Sequence, residues 1–235
     1  MAMRVSVWLR ALCVGLVTGV IALSAAPSQA GIVVGDYIRF FDREGSTGGG
    51  EFGVAELPNA NTELFRTFCM QLDEDQDFDP AGFKVVDISD HVQGASGNDP
   101  LDWRTAYLYT QFSKGTLSSY DYTPGSAGHV ASANALQTAI WAIENEPGIV
   151  VAGQALAWIN EAAAAISGGS WTGIGNVRVL SLEWTDGHNK HFGEGDPAQD
   201  VLMMVPEPAS FAVWSLLGAS CLVAGYRKRR QQKVG

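Results

Sequence analysis

Between positions 101 and 166 the chain offers three helix-type segments in succession with no strand among them, and strand-type segments lie on both sides. Asn98-Asp99-Pro100 reads as a cap followed by proline at the first helical position, and Leu101, Thr105, Leu108 and Phe112 recur at helical spacing up to Gly115. Serines, glycines and Pro124 predict a loop over residues 118–128. A second helix is expected over about 132–146, with Ala133, Leu136, Ile140 and Ile143 in one stripe and Pro147-Gly148 as its stop. A third, alanine-rich helix is expected over about 153–166, ending at Gly168-Gly169. Strands are predicted over 35–42, closed by a glycine loop at 45–50, then over 64–72 and 83–88, and after the helices over about 177–184 and 200–205. With no repeated strand-helix unit, this order favours α+β over a doubly wound sheet.

The two ends are of another kind. Arg4 and Arg10 precede an apolar run, and Ser28-Gln29-Ala30 supplies the small residues that a signal peptidase reads, so residues 1–30 are expected to be a signal peptide. Residues 209–226 form an apolar run of 18 residues, long enough at about 1.5 Å per residue to cross a hydrocarbon core. Arg227, Lys228, Arg229 and Arg230 follow it and form a cytoplasmic stop, which leaves the central region facing outward. That central region, residues 31–204, holds 8 Lys and Arg against 24 Asp and Glu. Such an acidic surface repels phosphates and excludes nucleic acid as a partner.

Of three cysteines, Cys13 falls in the signal and Cys221 in the tail, so Cys69 stands alone in the exported region and no disulfide framework is available there. Leu64, Phe68, Met70 and Leu72 mark one face at period two, and Phe65, Thr67, Cys69 and Gln71 the other, as in a half-buried strand. An unpaired cysteine in an exported chain is either a reactive group or a small buried hydrophobe.

Val205-Pro206-Glu207-Pro208, the apolar span and the basic end together resemble the PEP-CTERM sorting signal of Gram-negative surface and matrix proteins. The resemblance implies that residues 205–235 are a sorting tail with Pro206, Glu207 and Pro208 as its motif. It also implies an inner-membrane precursor, processing by an exosortase-type enzyme, and delivery to the cell surface or extracellular matrix. Phe68-Cys69 followed by Leu136-Gln137-Thr138-Ala139-Ile140-Trp141 resembles the surface thioester domain family, which has a cysteine near its start and a Thr-Gln-x-Ala-Ile-Trp motif on a later helix. Leu136 stands where that family has threonine, and Gln71 where an acidic residue often follows the cysteine. The resemblance implies an internal thioester between Cys69 and Gln137, adhesion to an extracellular polymer or a surface amine or hydroxyl, and no enzymatic turnover. It also implies a β-rich sandwich or barrel-like core with an inserted small helical subdomain. Ile140 and Trp141 would shield the thioester, and His129, read here as a loop residue ahead of the helix, would assist at it.

Other constellations carry less. Asp73, Asp75, Asp77 and Asp79 alternate as in a calcium loop, but Phe78 and Lys84 occupy the places of the required glycine and glutamate, so a solvated acidic loop is expected. His188 and His191 sit in turn sequence and are read as exposed loop residues, with no metal and no cofactor expected. A Cys69–His129 hydrolase pair lacks a third residue to orient it. The reading from another class is a noncovalent matrix or carbohydrate-binding protein with Cys69 buried and idle, using Trp103, Trp171 and Trp184 to stack on sugars.

Overall fold

The structure, a computed structural model, describes residues 31–59, 61–78, 81–94, 97–185 and 193–205. The segment expected to be a signal peptide and, from residue 206 on, the segment expected to be a sorting tail, with Pro206, Glu207, Pro208, Arg227, Lys228, Arg229 and Arg230, lie outside the described residues, as do Asp79, His188 and His191. Among the described residues no helix is long and apolar enough to cross a membrane.

The fold is α+β. Strands β1 (Tyr37–Asp42), β2 (Gly50–Glu56), β3 (Phe65–Phe68), β4 (Phe83–Ser89), β7 (Val177–Trp184) and β8 (Pro197–Met204) form one antiparallel sheet in the order β3-β2-β1-β4-β7-β8. Strands β5 (His91–Gly94) and β6 (Gly97–Pro100) pair as a separate hairpin. Helices α1 (Trp103–Ser113), α2 (Ala127–Ile143) and α3 (Gly153–Ser167) follow one another between β6 and β7.

Period-two alternation divides the sheet into two apolar faces. Phe68, Met70, Val177, Val179 and Leu202 join Leu108, Phe112, Leu136, Ile140 and Trp158 in a core between sheet and helices. Phe40, Phe52, Phe65, Cys69, Phe83, Leu180, Leu182, Trp184 and Val201 fill the opposite face. The two outermost strands also meet. Just past β3, Cys69 makes an isolated antiparallel bridge to Val201 of β8, and Met70 N donates to Asp200 O at 2.9 Å. Thr67 Oγ1 donates to Leu202 O at 2.6 Å beside them, and the Tyr109 hydroxyl lies 2.8 Å from Arg66 O and 3.0 Å from Leu202 O.

Several expectations are corrected. Phe68 and Met70 face one core and Phe65 and Cys69 the other, as expected, but Leu64 packs with Phe65 and Cys69, the ladder ends at Phe68, and Leu72 is 42% exposed. Asn98-Asp99-Pro100 does not cap α1: these residues pair in β6, and Asp102 is the cap, its Oδ1 accepting from Arg104 N at 2.7 Å. Helix α2 starts five residues earlier than periodicity suggests, because Ser126 Oγ accepts from His129 N at 2.9 Å and closes the first turn there. His129 is therefore helical. Strand β2 and the β5–β6 hairpin were not anticipated, and β8 begins three residues before the expected 200.

Candidate functional site

Cys69 leaves β3 at the point where three elements converge: β8 on one side, the 43–50 loop on another, and α2 behind. Helix α2 is aligned so that Gln137, three turns into it, meets the cysteine main chain. Cys69 N donates to Gln137 Oε1 at 3.0 Å, and Gln137 Nε2 donates to Cys69 O at 2.9 Å. Cys69 is 2% exposed and Gln137 is fully enclosed. An amide held through both its oxygen and its nitrogen by the N–H and C=O of one residue is fixed in orientation. The thiol belongs to the residue that holds it. Burial pushes the Cys69 thiol well above the usual cysteine range, so it is a neutral S–H and a weak nucleophile until its proton is removed.

The cover over this contact is built of residues with no side chain. A Cβ at Gly49 would fall 2.2 Å from Trp141 Cζ2 and 2.9 Å from Gln137 Cγ, and one at Gly50 would fall 3.1 Å from Gln137 Oε1. Glycine lets the loop lie directly on the indole and the amide. Trp141 is fixed in turn by its Nε1, which donates to Gln71 O at 3.1 Å. The two residues expected to shield the site thus separate: Trp141 lies under the loop beside Gln137, whereas Ile140 belongs to the core between helices and sheet. Gln71 braces the strand end. Its Oε1 accepts from Asp200 N and Gln199 Nε2, both at 3.1 Å, and its Nε2 donates to Gln93 O at 2.8 Å.

His129 stands apart from the thiol. Eight residues before Gln137 on α2, it is about 12 Å away along the helix axis, and it faces a buried charge cluster instead. Glu51 Oε2 lies 2.9 Å from His129 Nε2 and accepts from the Tyr120 hydroxyl at 2.6 Å, while Glu51 Oε1 pairs with Arg66 Nη1. Arg66 Nη1 is also 3.4 Å from Glu44 Oε2, and its Nε donates to Glu63 Oε1 at 3.0 Å. Glu63 pairs on its other oxygen with Arg43. Burial pushes the Glu44 carboxyl up, but amide donors, including Gly125 N, and the Arg66 guanidinium leave it below the ordinary value. Glu51 follows Gly50 in sequence, so this cluster and the Gln137 cover share one strand start.

Sequence reasoning anticipated Cys69, Gln137 and Trp141. It passed over Gly49, Gly50, Glu51 and Arg66. The Gly48-Gly49-Gly50 run carried a usable signal, because consecutive glycines mark a close backbone approach; a single buried glutamate carries none. Among the sugar-stacking candidates, Trp103 is 48% exposed, Trp171 is half-buried, and Trp184 is enclosed in the core and unavailable. No family model, curated protein or solved structure matches this chain.

Proposed function

We propose that this is an exported surface or matrix protein, sorted by its C-terminal tail through an exosortase-type enzyme, that captures a nucleophile covalently through a thioester between Cys69 and Gln137. The observation that carries the reading is the pair of hydrogen bonds by which the Cys69 main chain grips the Gln137 amide. In thioester formation Sγ attacks Cδ of Gln137, the Cδ–Nε2 bond breaks, and the thiol proton leaves with the nitrogen as ammonia. The Cys69 N–H on Oε1 is placed to stabilise the negative charge that builds on that oxygen. Capture reverses the pattern. An amine or hydroxyl attacks Cδ, the Cδ–Sγ bond breaks, and the proton given up by the nucleophile returns to sulfur. The product is an amide or ester on Gln137 and a free thiol on Cys69, a stoichiometric act without turnover. The enclosed site protects the ester from water before capture. We also read the sheet as barrel-like, since its outer strands approach each other at Cys69, with α1 to α3 as the inserted helical subdomain.

Intact mass tests this. The purified protein is expected to weigh one ammonia less than its sequence, with the deficit absent from Cys69→Ala and Gln137→Ala. A full mass in the folded wild type removes the covalent mechanism. That result would favour the noncovalent, carbohydrate-binding reading, for which the supporting observation is exposed Trp103 beside the Arg104–Asp102 ion pair.

A further inference from the structure

The charge cluster at the other end of α2 has no part in that chemistry, and its geometry contains a gap. Glu44, Glu51 and His129 come from the loop after β1, from β2 and from α2, and each brings a donor atom to within 4.8 Å of the others. His129 is 1% exposed, yet its Nδ1 makes no hydrogen bond. The atom facing it is Glu44 Oε1 at 3.5 Å. That separation is long for a hydrogen bond. It is close to the spacing of about 3.4 Å between two ligand atoms that each lie about 2.1 Å from one tetrahedral ion.

The surrounding bonds fix the same arrangement. With Nε2–H donated to Glu51 Oε2, the imidazole presents a bare lone pair at Nδ1, and a second lone pair faces it from Glu44. Arg66 occupies Glu51 Oε1 and the far oxygen of Glu44, Gly125 N donates to Glu44 Oε1 at 3.2 Å, and neither fills the space between Oε1 and Nδ1. In this tautomer Glu44, Glu51 and Glu63 outnumber Arg43 and Arg66 by one charge. A cavity of about 300 Å³, lined by Glu44, Ser46, Gly50 and Glu51 among others, opens beside the two carboxylates of the cluster.

We propose that this cluster binds one divalent ion of the zinc type, with His129 Nδ1 and Glu44 Oε1 as ligands, water in the remaining positions, and Glu51 as the outer carboxylate that orients the imidazole. An imidazole paired with a carboxylate selects zinc and its neighbours over calcium or magnesium. A carboxylate on the far ring nitrogen is the usual support of a metal-bound histidine.

The test uses the untagged full-length protein, stripped with a chelator and titrated with Zn²⁺ against a chromophoric competitor. One Zn²⁺ per chain is expected, unaffected by excess Mg²⁺, with affinity at least about tenfold weaker in Glu44→Gln and in His129→Asn. Cys69→Ala is expected to bind as the wild type does, which separates this site from the thiol and from the thioester reading. Zn²⁺ should also raise the melting temperature of the wild type and not that of Glu44→Gln. If His129→Asn does not fold, Glu44→Gln decides alone. Absence of saturable uptake, or equal uptake by wild type and Glu44→Gln, overturns the proposal.

Discussion

Gln137 is gripped by a main chain, and the grip is closed by a glycine. Because a methyl at position 49 would collide with Trp141 Cζ2 and Gln137 Cγ, Gly49→Ala must push the indole or the loop outward. Overpacking of this kind costs about 1–3 kcal/mol, which a urea unfolding curve will read. The same displacement opens the site, so methylamine cleavage of the thioester, or iodoacetamide labelling of a free Cys69, is expected to speed up in the folded variant. An unchanged rate would show that the 43–50 loop is not the cover. At this scale the pairing of Cys69 with Gln137 was legible from the resemblance. Its means were not: a backbone donor and acceptor leave no trace in residue identity.

At the scale of the element, α2 carries both the amide and His129, and its start is set by one hydroxyl. Ser126 Oγ accepts from His129 N and donates to Asp121 Oδ2 at 2.7 Å. Ser126→Ala is expected to lose about 0.5–2 kcal/mol, and Ser126→Asn to retain most of the stability in the same urea assay. Equal stability of wild type and alanine variant would mean that the first turn is held by packing alone. The start was missed because Ala127 and Gly128 extend a run of serine and glycine that reads as loop. Two further misses have related causes. Gly50 and Gly53 break any alternation in β2, which is buried on both faces, with Phe52 and Val54 its bulky core residues. In β6, Asn98-Asp99-Pro100 carries the same residue types as a helix cap, and only pairing with His91–Gly94 shows it to be a strand. By contrast α3 and β7 were legible almost to the residue, since Gly153 and Gly168 punctuate one and a dense run of branched and apolar residues marks the other.

For the whole molecule, the acidic composition reaches into the interior. Burial pushes Asp200 up to about 7, opposed in part by the Gln93 N–H, and pushes Glu144 up to about 7 as well. In the unfolded chain both carboxyls sit near their ordinary values of about 4. Between roughly pH 4 and 7 the folded protein therefore holds more protons than the unfolded one, and stability falls as pH rises through that window. Asp121, held down to about 2 by Ser126 and Thr123, acts only below it. Urea midpoints from pH 4.5 to 7.5 should decline, and Asp200→Asn should flatten the decline. An unaltered slope in that variant would assign the protons elsewhere. Composition showed the excess of acid; that Asp200 would be among the buried carboxyls depended on how β8 meets β3. That meeting has one more consequence. Outer strands that spend their edges on each other, through Val201, Asp200 and the hydroxyls of Thr67 and Tyr109, have little left to offer a neighbour. Copies crowded side by side can then stay separate molecules instead of zipping into a continuous sheet.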